Sequence, residues 1–247
     1  MDKKLKDITQ EDVQRSINET AKTHTPKYCR NVHGLLTAVL AEYAPDFKLT
    51  TNLPKPQKQN IYIPSSEEVR KIFEASKGTE MEIPILLAAC LGLRRSEIGG
   101  LKWSAYDGKH IEIKEAKVQN VYNEWVSKSP KTYAGRRTLD VPQFIAEKLD
   151  ALPRESEYIV NITGNTIGIR FRLLLERERI PHFRFHDLRH CNASIMLALG
   201  VPNKYAANRM GHSTDNMLKR VYQHLIDDKE IEVNETVNRF FENFKNT

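Results

Sequence analysis

His186-Asp187-Leu188-Arg189-His190 opens a stretch whose pattern predicts a helix over 186–199. His186 and Arg189 stand three residues apart, so a helix carries them on one face. His186 and His190, four apart, have a spacing that suits zinc. The metalloprotease pattern, however, places Glu after the first histidine, and Asp187 stands there. No metal site is expected. Helical periodicity extends on both sides, over 143–151, 165–178, 202–210, 214–224 and 228–244. Further upstream, Ser65-Ser66-Glu67-Glu68 reads as a capping box ahead of Val69, Ile72 and Phe73. Thr79 to Cys90 reads as an apolar helix closed by Gly92, and Arg94 to Lys102 resumes helical character. Residues 110–126 and 136–141 mix Ile, Val, Tyr and Thr with charged neighbours and predict three short strands. The last two are joined by a hairpin loop over 127–135. The expected fold is mainly α with a small antiparallel β-sheet.

The N-terminal side reads as a separate piece. Thr9 starts a helix with Glu11 and Asp12 in its first turn, and Thr25-Pro26 starts a second. Val32, Leu35, Leu36, Val39 and Leu40 form the second helix's apolar face. Residues 49–60 are polar, carry Pro54 and Pro56 and lack periodicity, which reads as a linker. The division is therefore a helical segment over 1–50, a linker over 51–62 and a larger domain over 63–247.

The 247 residues carry 38 Lys and Arg against 32 Asp and Glu, a net charge of +6. That balance suits a polyanionic partner and equally a slightly basic soluble protein. Cys29, Cys90 and Cys191 are dispersed and form no CxxC pair. A disulfide framework or cysteine zinc site is not expected, and a reducing cytoplasm is. No apolar run approaches the roughly 18 residues of a membrane helix, and the N-terminus lacks a signal-peptide core.

Four motifs share an order. Gly92-Leu93-Arg94-Arg95-Ser96-Glu97 comes first, then His186–His190, then Gly211-His212, then Tyr222 ten residues on. Singly, each has an ordinary explanation. Adjacent arginines suit a solvated face. Tyr222, among Leu218, Val221 and Leu225, suits a half-buried core position. Together with Pro130-Lys131-Thr132, the set resembles the tyrosine recombinase family, from about residue 62 to the C-terminus. That resemblance implies a mainly helical catalytic domain that clamps duplex DNA. It implies an active site of Arg94, Lys131, His186, Arg189, His212 and Tyr222, with Arg95 and His190 outside the usual catalytic positions. The roughly 55 residues before the linker resemble the last half of a helical core-binding domain.

The chemistry the resemblance implies is attack of the Tyr222 phenolic oxygen on a phosphodiester. It leaves a 3′-phosphotyrosine and a free 5′-hydroxyl, with no metal or nucleotide cofactor. Arg94 and Arg189 would clamp the phosphate oxygens, as the guanidinium fork suits them to do. His186 would serve as base, Lys131 as general acid to the leaving oxygen, and His212 as a further phosphate ligand. Lys102, Lys114, Lys117, Lys128, Arg136, Arg137, Arg170, Arg172, Arg177 and Arg184 are candidates for phosphate contacts. The implied partners are double-stranded DNA, copies of the chain in a tetramer on two sites, and accessory DNA-bending or excision factors. The implied compartment is the cytoplasm, at the nucleoid. Val233, Val237, Phe240, Phe241 and Phe244 line one side of 228–244. That stripe suits packing on its own domain or docking on a neighbouring protomer. A type IB topoisomerase, a non-catalytic DNA-binding regulator and a metal-dependent nuclease are the competing classes.

Overall fold

The computed structural model describes residues 3–4, 7–57, 62, 64–129 and 135–211. The chain divides into two compact units, residues 1–60 and 61–247.

The first unit pairs α1 (Gln10–Thr23) with α2 (Pro26–Tyr43). Thr9 caps α1 in a reciprocal box with Asp12, and Thr25 caps α2 with Pro26 in its first turn. Val13 and Ile17 of α1 are buried, as are Cys29 and Leu40 of α2. The buried stripe of α2 is thus rotated from the expected one, leaving Leu35 (69%) and Val39 (38%) exposed. The expected linker begins as part of this unit. Gln14 accepts from the Asn52 amide at 2.9 Å, and Arg30 donates to the Pro54 carbonyl at 2.9 Å.

The second unit is built around α4 (Glu82–Leu91), whose residues are buried almost all round. Its neighbours are α3 (Ser66–Ser76), α5 (Arg95–Gly99), α6 (Gln143–Asp150) and α8 (Asp187–Ala198). A helix without a polar face belongs at the centre of a core. Ser65 and Glu68 form the expected capping box of α3. The unit is completed by α7 (Gly164–Arg177) and α9 (Asn203–Met210). The predicted helices at 214–224 and 228–244 lie outside the described residues.

The strands depart from expectation. Among the described residues there are four, β1 (His110–Ile113), β2 (Ala116–Gln119), β3 (Trp125–Lys128) and β4 (Arg137–Asp140). They form two antiparallel pairs, β1 with β4 and β2 with β3. β1 and β2 are separated at Lys114-Glu115, and the hairpin expected between the last two strands is not formed, since β3 pairs with β2 and β4 with β1. β2 and β3 are joined by a turn in which Asn123 takes a positive φ of 63° and the Asn120 carboxamide accepts two backbone N–H groups. The helix expected over 94–102 is also shorter and stops at Gly99. A Cβ at Gly100 would stand 2.8 Å from the Lys117 amide, so the backbone there makes way for β2.

Candidate active site

Three chain turns meet beside the C-terminus of α4. Gly92 ends that helix in the left-handed conformation at φ 66°. A Cβ there would stand 2.7 Å from Met210 Sδ and 3.1 Å from Asn192 Oδ1, so glycine is required for space as well as for φ. Asn192 donates to the Ala89 and Cys90 carbonyls, each at 2.9 Å, and ties α8 to the end of α4. Gly211 ends α9 in the same left-handed way.

Arg189, on α8, is fully buried and donates to the carbonyls of Gly92 and Met210. Arg94, the residue before α5, donates to the Gly211 carbonyl at 2.8 Å. The two arginines thus fasten the Gly92 turn, the start of α8 and the end of α9 to one another. Burial, then the nearby Arg94 charge, pushes the Arg189 pKa down to about 9, which leaves it cationic at neutral pH.

Glu97 organises Arg94. Its carboxylate accepts from the Arg94 guanidinium at 2.6 Å and the Arg94 backbone amide at 2.8 Å. From β4, Arg137 donates two further bonds to it, at 3.1 and 2.9 Å. Side-chain exposure is 5% for Glu97 and 6% for Arg137. Burial by itself would raise the Glu97 pKa, but Arg137, then Arg94, outweigh it and hold the carboxyl at about 2. Glu97 appears in the sequence motif, but its role was not read there. Arg137 is among the candidates for phosphate contacts, and the structure instead gives it a buried carboxylate partner.

His186 stands at the N-terminus of α8, with its ring 5.1 Å from that of His190 in an edge-to-face pair. Packing around the ring, then His190 and Arg189, pushes its pKa down to about 4. Its other side is open to solvent. His190 is buried and its pKa is also lowered, by burial first. The neutral ring therefore makes no ion pair with Asp187 at 3.7 Å.

A cleft of about 780 Å³ lies over this arrangement, lined by Arg94, Arg95, Arg172, His182, Arg184 and His186 among others. Arg189 lies beneath it rather than on its wall. Of the six expected site residues, Arg94, His186 and Arg189 are brought together. Lys131, His212 and Tyr222 lie outside the described residues. Other candidate phosphate contacts are occupied within the protein. Lys102 pairs with Glu115 and Glu157, Arg170 with Glu80, and the Lys117 ammonium sits 4.0 Å from the Tyr158 ring centre. Among the described residues, no His, Cys, Asp and Glu cluster suits a metal ion, and no helix is long and apolar enough to cross a membrane.

Residues 65–229 match the model of the phage integrase family. The chain belongs to that family. A XerC-like tyrosine recombinase of Caldanaerobacter subterraneus subsp. tengcongensis is 29% identical over 213 residues, 72% of this chain and 54% of that protein. The integrase of Salmonella phage P22 is 27% identical over 183 residues, 70% of this chain and 46% of that protein. The chain thus spans about half the length of these relatives. Among solved structures, the Tn1549 transposon integrase bound to transposon right-end DNA matches with a TM-score of 0.74 at 16% identity, covering 89% of this chain and 82% of that one. A lambda integrase dimer bound to a COC′ core site matches with a TM-score of 0.65 at 17% identity, covering 90% and 82%. The fold of this family member is that of these integrases: mostly helical, with small antiparallel strand pairs.

Proposed function

We propose that the chain is the DNA-cleaving part of a site-specific recombinase of a mobile element. It cuts and rejoins duplex DNA through a 3′-phosphotyrosine on Tyr222, as a tetramer across two sites, in the cytoplasm. Residues 63–247 are its catalytic domain, and residues 1–50, joined through 51–62, a partial core-binding domain. The observation that carries this reading is the meeting of Arg94 and His186 on one cleft wall above the buried charge of Arg189. Solved relatives bound to DNA, and a lambda integrase tetramer bound to a Holliday junction, support the choice of partner and assembly.

In the proposed step the Tyr222 oxygen forms a bond to phosphorus as the bond to the 5′-oxygen breaks. His186 takes the phenolic proton and Lys131 protonates the leaving oxygen. The reverse sequence reseals the strand, so the phosphoester bond is conserved and no nucleotide is consumed. Arg94 meets the charge that gathers on the phosphate oxygens, with Arg189 and His212 adding to the field there.

A nicked duplex that loses its short 5′ fragment on cleavage traps the covalent complex. Adduct should form in excess EDTA, because arginine and lysine supply the positive charge that Mg²⁺ supplies in two-metal nucleases. Loss of adduct on chelation with DNA binding intact, restored by Mg²⁺, overturns the proposal. Plasmid relaxation without joining of two sites would assign a type IB topoisomerase instead.

The assignment of His186 as base sets the pH dependence. Its neutral form is the active one, and its pKa lies below the ordinary value of about 6.5. Activity is therefore retained as pH falls through 6.5 and is lost in a limb centred on about 4. Single-turnover cleavage from about pH 3.5 to 8 measures this limb. A limb centred at or above about 6.5 removes His186 from the role.

A further inference from the structure

Arg95 follows the site arginine and is exposed on the wall of the same cleft. It does not hang freely there. Gly164 and Gly168, one turn apart on α7, leave a groove in the helix surface, and the Arg95 side chain lies in it. A Cβ at Gly164 would meet Arg95 Cγ at 3.4 Å and Nε at 3.6 Å. At Gly168 a Cβ would stand 2.7 Å from the Arg95 guanidinium nitrogen Nη1. Any other residue at 168 would displace that guanidinium. Glycine inside a helix is less favourable than alanine, so the groove is a feature that helix stability alone does not favour.

The charges around it are unequal. Arg184 is paired with Asp187 at 2.8 Å, and Arg172 reaches Glu176 at 3.7 Å. Among the described residues Arg95 has no acidic partner. A guanidinium with no acidic partner among the described residues lies with its stem and Nη1 against the helix and lines the cleft. That is the geometry for a phosphate oxygen, and little side-chain freedom remains to be lost on binding.

We propose that Arg95, seated in the Gly164–Gly168 groove, is a DNA-backbone phosphate contact that fixes the duplex beside Arg94. It is a binding residue with no part in the bond-making step, and the proposal rests on the DNA-cleaving reading above. A phosphate contact of this kind carries no sequence information and is felt as salt dependence.

The test is duplex binding by the full chain across a salt series, for wild type, Arg95→Ala, Gly168→Ala and the double variant. Arg95→Ala should lower the slope of log affinity against log salt by about 0.9. Gly168→Ala keeps every charge and favours the helix, yet should weaken binding in the same direction by moving the guanidinium out of register. The double variant should bind no more weakly than Arg95→Ala, because both changes remove one contact. An unchanged slope in Arg95→Ala, wild-type binding by Gly168→Ala, or additive losses in the double variant each overturn the proposal. Circular dichroism melting keeps unfolding apart from lost contact, since Gly168→Ala should melt no lower than wild type. Adduct formation by the wild-type chain on the nicked duplex reports the underlying reading separately. Its failure removes the cleavage function without altering the salt slopes.

Discussion

Tyr222→Phe is expected to abolish covalent attachment to DNA while leaving duplex affinity close to that of the wild type. The change deletes one oxygen and keeps the ring, so packing is nearly conserved, whereas phenylalanine has no nucleophile. Tyr222 is chosen for its place ten residues after His212 in a chain of the phage integrase family. Eight other tyrosines make the choice a sharp one. The phenol needs help to react, since an unperturbed tyrosine is about one part in a thousand ionised at pH 7, a cost of about 4 kcal/mol. In the proposed mechanism Arg94 and Arg189 would offset part of that cost, and the neutral His186 would accept the proton. The measurement is a denaturing gel of the nicked-duplex reaction beside a gel-shift titration. Persistence of adduct in the Phe variant means the nucleophile is another residue. Tyr205, which is 67% exposed, and Tyr133 are then the next to replace.

What the sequence revealed was mostly local. The Ser65–Glu68 box, the Thr25-Pro26 start and the Gly92 stop each depend on neighbours within four residues, and each is present in the structure. What it hid depends on chain segments far apart. Arg94 to Lys102 reads as helical throughout, yet β2 packs on the Gly100 backbone, and that approach leaves no local trace. Arg137 reads in the sequence as one more candidate phosphate contact. Its burial comes from Glu97, forty residues earlier. Arg95 looked like the solvated half of an arginine pair, and its seat is made by a glycine on another helix. Arg94, His186 and Arg189 were legible as a set only through their motifs. The three carbonyls that their two arginines bind, at Gly92, Met210 and Gly211, could be found only in the fold.

The largest effect on stability is expected at Arg137. In Arg137→Ala the Glu97 carboxylate stays buried and keeps only Arg94, and stranding a buried charge in this way costs about 3–5 kcal/mol. The same pairing sets a pH dependence. Glu97 has a folded pKa of about 2 against an ordinary value of 4.5. Its contribution is therefore fully present above about pH 4.5 and is lost as pH falls toward 2. The difference corresponds to about 3 kcal/mol. Urea unfolding at pH 7 and at pH 3.5 should show the first part of that loss in the wild type, about 1.4 kcal/mol, and a smaller change in Glu97→Gln. Stability and cleavage then separate in a double variant. Replacing both partners, as Glu97→Leu with Arg137→Leu, removes the buried charges together and should restore most of the stability lost in Arg137→Ala. Cleavage should stay low, by about 10²–10³, because Arg94 has lost the carboxylate that holds both its guanidinium and its amide. Single-turnover rates at temperatures where the double variant is fully folded decide the matter. If cleavage returns along with stability, Glu97 and Arg137 serve the fold alone, and Arg94 finds its position without them.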